Sequence, residues 1–123
     1  MRLLIAAVLA TTTSIATTSV AIADETEDAH RLAVSGRDSY WNCLAREYPR
    51  DSNRKMSEAE FVALIADVCR SERQNFRVAL VDYLSMQFPN SDAGANMTTA
   101  NNAIALAQKD IVTAFARRKA ASK

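Results

Sequence analysis

Three side chains in this 123-residue sequence could act as nucleophile, base or soft metal ligand: Cys43, Cys69 and His30. A C-x-x-C redox pair is absent, since the cysteines stand 26 residues apart. A nucleophilic cysteine needs a base and a group to orient that base. His30 is the sole histidine, and it sits in a charged run where solvation is the ordinary outcome. One histidine excludes a His-rich zinc set, and H-E-x-x-H does not occur. Two glycines cannot supply G-x-G-x-x-G or a phosphate-cradling G-x-x-x-x-G-K. The carboxylates at Glu25, Glu27 and Asp28, and at Glu58 and Glu60, stand where helices begin, and nothing pairs them across a cleft as glycoside hydrolysis requires. No catalytic residue, metal or cofactor is therefore expected, and a small enzyme of unrecognised class is the last alternative.

What the cysteines do depends on compartment. The chain opens MRLLIAAVLATTTSIATTSVAIA, with one positive charge at Arg2, an apolar core from Leu3 to Ala10, and small residues ending Ala21-Ile22-Ala23. This is the order of a secretory leader, cut between Ala23 and Asp24, with Ser14-Ile15-Ala16 as a second cleavage site. The competing reading is an uncleaved anchor, because Leu3 to Ala23 approaches the roughly 20 residues that span a bilayer. Against it stand the Ser/Thr residues crowded into Thr11 to Ser19. The expected product is a periplasmic or secreted protein, residues 24–123, with no stable membrane association after cleavage. In an oxidising compartment two cysteines have one pairing, and Cys43–Cys69 should be a disulfide.

Loss of Arg2 leaves the remaining Lys and Arg equal in number to the 14 Asp and Glu. A chain without net charge has no basic stripe for a phosphate backbone, so nucleic acid is not an expected partner. About a hundred residues make one small domain, in which a cross-link counts for much.

The elements that must position these groups read as helices throughout, with no useful period-2 stretch. Pro49 and Pro89 divide the domain into three helical segments, at about 26–48, 58–88 and 99–118. The fold class is all-α: an antiparallel hairpin plus a third helix. In the first segment Ala29, Ala33, Gly36, Tyr40, Cys43 and Glu47 recur at steps of three and four, flanked by Leu32 and Leu44, with Val34, Trp41, Leu44 and Tyr48 as an adjoining apolar stripe. The second opens on "MSEAEF", with Ser57 as N-cap, Glu60 three residues on, and Met56 and Phe61 placed as a hydrophobic staple. Its apolar side (Phe61, Ile65, Cys69, Phe76, Leu80, Tyr83) lapses at Arg70 to Asn75. With no Gly or Pro there, one continuous helix is expected. Thr98 or Thr99 caps the third, whose core stripe is Ala100, Ile104, Ala107, Ile111 and Phe115, and whose last residues should fray. In a hairpin of the first two helices, the cysteines lie at axial heights differing by about 10 Å. The eight-residue connection from Pro49 to Met56 is expected to absorb that offset.

Four side chains are candidates for contact with a partner. Trp41 and Tyr48 are types enriched at interaction hot spots, although Trp41 is the more expected to shield the disulfide within the core. Arg73 and Arg77, one turn apart, could hold an anionic group together. Asn96-Met97-Thr98 fits a glycosylation acceptor, a triplet that chance supplies often.

Trp41-Asn42-Cys43 and Cys69-Arg70-Ser71-Glu72-Arg73-Gln74-Asn75-Phe76 resemble the periplasmic acid-stress chaperones of the HdeA type. That family consists of small exported helical proteins with one disulfide, a Trp near the first cysteine, and a charged run ending in Phe after the second. Its cysteines stand much farther apart than these. The leading expectation is a non-enzymatic binding protein with a protein partner. The resemblance implies the alternative, a periplasmic stress chaperone that loosens when its carboxylates are protonated.

Overall fold

The computed structural model describes residues 18–123. The leader core and the Ser14-Ile15-Ala16 site lie outside them. Four α-helices and one short 3-10 turn follow in order: α1 Thr18–Ala45, the 3-10 turn Asp51–Asn53, α2 Glu58–Asp67, α3 Arg70–Gln87 and α4 Ala93–Ala121. No strand occurs among the described residues, as the patterning predicts. The helix count is four where the sequence suggested three. No described helix is long and apolar enough to cross a membrane. The Ala23–Asp24 bond lies within α1, with both residues exposed.

α1 and α3 pack antiparallel along a seam of small side chains. Ala29 and Ala33 are buried, and a Cβ added at Gly36 would stand 3.0 Å from the Cα of Phe76. A methyl there would force the two backbones apart by a few tenths of an ångström, and glycine avoids that. Tyr40 and Leu44, next along this face, are fully buried, whereas Leu32, expected to flank it, is exposed. α1 ends at Ala45, short of the expected Tyr48. Residues 46–49 form hydrogen-bonded turns, with Glu47 N donating to Leu44 O at 3.0 Å. Pro49 then keeps the chain out of the helical region.

The expected single helix from 58 to 88 is two helices, and the break falls at Val68–Cys69, just ahead of the charged run. Cys69 adopts a left-handed conformation, φ 57° and ψ 41°, which for a residue with a Cβ costs about 1–2 kcal/mol. The break answers the axial mismatch. α2 leaves the α1–α3 pair to pack against α4, and the chain returns so that Cys69 stands at the head of α3, beside the end of α1. The disulfide Cys43–Cys69 closes there with Cα atoms 6.1 Å apart. The expected hairpin partner of α1 is thus α3, and the loop need not climb along α2.

α2 begins as its sequence dictates. Ser57 Oγ accepts from Glu60 N at 3.2 Å, while Ser57 N donates to Glu60 Oε2 at 2.7 Å. Both staple residues join the core, Phe61 fully buried and Met56 partly so. Phe61 stacks on Phe115 of α4, ring centres 3.9 Å apart and 9° from parallel. α4 starts six residues before Thr99, because Asp92 and not a threonine caps it, accepting from Gly94 N at 2.9 Å. Its five expected core residues are all buried. Its C-terminus continues to Ala121, past the point where fraying was expected. Tyr40 on α1 and Gln108 on α4 tie the layers together, the amide donating to the phenol oxygen at 3.0 Å.

Candidate binding site

The disulfide sits where α1, α2 and α3 meet. Glu72 approaches it closely: its carboxylate and the two sulfurs lie within 4.8 Å of one another. The sulfurs are spent on their mutual bond, so this trio is explained without a metal. Trp41 is half-buried and packs on the central core cluster, as does Cys69.

The charged run after Cys69 serves the helix break. Arg73 Nη1 donates to the carbonyl of Ala66, and Arg70 Nε donates to that of Asp67 at 3.2 Å. Those carbonyls belong to the last turn of α2, which has no intrahelical donors for them. Arg70 also pairs with the Asp67 carboxylate. This bond holds the carboxyl of Asp67 below its ordinary value and raises the guanidinium of Arg70. At the other end of α2, the backbone N–H and then the hydroxyl of Ser57 lower the pKa of Glu60. Arg77 turns to a different task, donating to Asn101 Oδ1 on α4 at 3.0 Å and to Gln74 Oε1 at 2.7 Å. Arg73 and Arg77 are therefore each engaged with protein groups, in opposite directions from α3. Asn96 of the acceptor triplet is buried and donates to Ser85 Oγ at 3.4 Å, which denies a glycan its attachment point.

Tyr48 is the one partner candidate that lines a recess. The turn after α1 supplies Tyr48, Pro49 and Arg50, the 3-10 turn supplies Arg54, and the last turns of α4 supply Phe115, Arg118 and Lys119. They enclose about 470 Å³, within the rough 300–1,000 Å³ range of small-ligand clefts. Asn53 shapes the wall from beneath. Though polar it is buried, and its amide donates to Glu47 O at 2.8 Å and to Glu47 Oε2 at 3.2 Å. Lys119 is fixed across the recess, donating to the Met56 carbonyl with its ammonium 5.8 Å from the centre of the Phe115 ring.

Reading the sequence singled out Tyr48 and missed the basic residues that accompany it. Arg118 and Lys119 suit the negative end of a helix in sequence, and Arg50 and Arg54 lie in the connection from Pro49 to Met56, where nothing local marks them out. Only the return of α4 to the α1–α2 connection brings the two sets together. Two further recesses lie along α1, one over its polar face at His30 and Asp38, the other against α3 at Leu32 and Val78. His30 stands against Tyr83, ring centres 5.0 Å apart.

Comparison with protein-family models, with curated proteins and with solved structures finds no match to the chain, so the likeness to acid-stress chaperones rests on the residues around Cys43 and Cys69 alone.

Proposed function

We propose that this is a small exported protein that acts by binding a protein partner, without catalysis of its own. The observation that carries the reading is the Tyr48 recess, where cationic and aromatic side chains line a cavity on a cross-linked scaffold. Rigid elements hold its walls: α4 on one side, and on the other a turn pinned by Asn53. The leader sequence and the disulfide support export. A photo-crosslinking residue at position 48, with a matched one at exposed Ser71, tests binding. Capture of one defined partner in stoichiometric yield from position 48 and not from 71 is expected. Turnover of a substrate by the purified protein overturns the reading. Export is tested by N-terminal sequencing of extracytoplasmic material, expected to begin at Asp24 and overturned by a start at Met1.

One observation favours an acid-activated chaperone as the second reading. Glu60 and Asp67 hold the two ends of α2 through hydrogen bonds that are stronger to their ionised forms, which is what lowers both carboxyls. Protonating both loosens α2 from α4 and uncovers Phe61 and Ile65, the kind of apolar exposure that acid states show. Binding of an apolar dye at about pH 2–3 together with suppression of client aggregation supports this reading. Client aggregation unchanged by the protein removes it.

A further inference from the structure

We infer that the Tyr48 recess recognises a carboxylate carried beside a flat apolar group, the chemistry of an aromatic residue at a free peptide C-terminus. The inference deepens the binding reading above and rests on it. Four cations line the recess and, among the described residues, no carboxylate does. Their engagement is uneven. Arg50 and Arg54 each pair with a carboxylate three residues earlier on the chain, Glu47 at 3.4 Å and Asp51 at 3.2 Å. A guanidinium has five N–H donors, so a single such contact leaves most of them available. Lys119 is occupied by the Met56 carbonyl, and its charge offsets the negative end of α4 that an incoming anion meets. Arg118 makes no ion pair and no side-chain hydrogen bond among the described residues, and its planar fork matches a carboxylate in two-point contact. The apolar half of the recess comes from Phe115, whose ring is already stacked on Phe61, and from half-buried Tyr48. An aromatic ring laid against Tyr48 and the small exposed edge of Phe115 extends this packing, with its carboxylate directed at the guanidinium groups.

The same chemistry could be offered by a free aromatic acid or by a peptide end, and a titration followed by NMR separates them. The probes are N-acetylphenylalanine, a tetrapeptide ending in phenylalanine with a free carboxylate, the same peptide as its C-terminal amide, and inorganic phosphate. The free carboxylates are expected to shift the Tyr48 and Phe115 resonances, and the amide to bind at least about tenfold more weakly, the loss expected for one charge-assisted hydrogen bond. Tighter binding of the peptide identifies a chain terminus as the ligand, whereas equal binding identifies the small acid. Arg118→Ala and Arg50→Ala, both at exposed positions, are each expected to weaken binding about tenfold or more with circular dichroism unchanged. Amide and acid binding alike, phosphate binding as tightly as the aromatic acid, or affinity unmoved in Arg118→Ala overturns the assignment. Crosslinking at position 48 then tells whether the broader reading stands: a defined partner keeps it, and none removes it, while the titration alone decides the ligand chemistry.

Discussion

The two halves of this bundle reach stability by opposite means. The α1–α3 pair is joined through close backbone approach at Gly36 and one covalent bond, with Ala29 and Ala33 filling the seam. The α2–α4 pair is joined through bulk, Phe61 on Phe115, and α2 is further held by polar contacts at its ends. The first arrangement depends on the absence of side-chain volume, the second on its presence. A ten-residue helix has little stability alone, so α2 exists because α4 receives it and because its ends are capped.

The contrast can be broken most sharply by removing volume where the fold depends on it. Phe61→Ala deletes half of the stacked pair and should lower the unfolding free energy by about 3–5 kcal/mol, measured by urea denaturation. Opening the disulfide in a Cys43→Ala, Cys69→Ala variant frees the 26-residue loop, for which loop entropy gives about 3.5 kcal/mol. Hydrogen exchange should then show α2 opening with the least protection. Adding volume where none fits gives the converse result. Gly36→Ala places a methyl against the Phe76 backbone and should cost about 1–3 kcal/mol, whereas Ala105→Gly on exposed α4 costs only the helix propensity difference of about 1 kcal/mol.

The smallest effect is the dependence on pH. Glu60 and Asp67 have folded-state values below their ordinary 4.5 and 3.8. Their contribution is complete above those ordinary values and disappears as pH falls through the lower folded ones. Amide exchange in α2 should accelerate over that acidic window before α1 or α3 responds, and Ser57→Ala should blunt the change. Simultaneous loosening of all four helices would show that the two halves do not differ in this respect.

Much of this was legible in the residues themselves. The α4 stripe is a plain helical period, and the capping box at Ser57 is a local signature that local chemistry fulfils. The pairing of Cys43 with Cys69 followed from there being no other. The break at Cys69 was not legible, because no Gly or Pro marks it and a left-handed cysteine arises from tertiary demand. The axial mismatch between the cysteines was its trace, and it was resolved by interrupting the helix. The start of α4 was obscured for a local reason. Gly94 and the polar residues around it read as loop, yet Asp92 captures the Gly94 amide and the helix begins there. The recess could not be read at all, since its cations come from segments some 65 residues apart that only the folded chain unites.

The placement of α2 within the disulfide ring has a consequence for the order of assembly. Its packing partner, α4, follows the whole ring in the chain and is synthesised after it. Cys43 and Cys69 can meet as soon as α3 docks on α1. At that stage Phe61 and Ile65 have no surface to cover them. The ring can therefore close before it is filled, in which case the chain exposes an apolar helix until residues 93–121 arrive. Release at the α3–α4 turn would leave an oxidised, sticky fragment, so α4 governs solubility as well as packing.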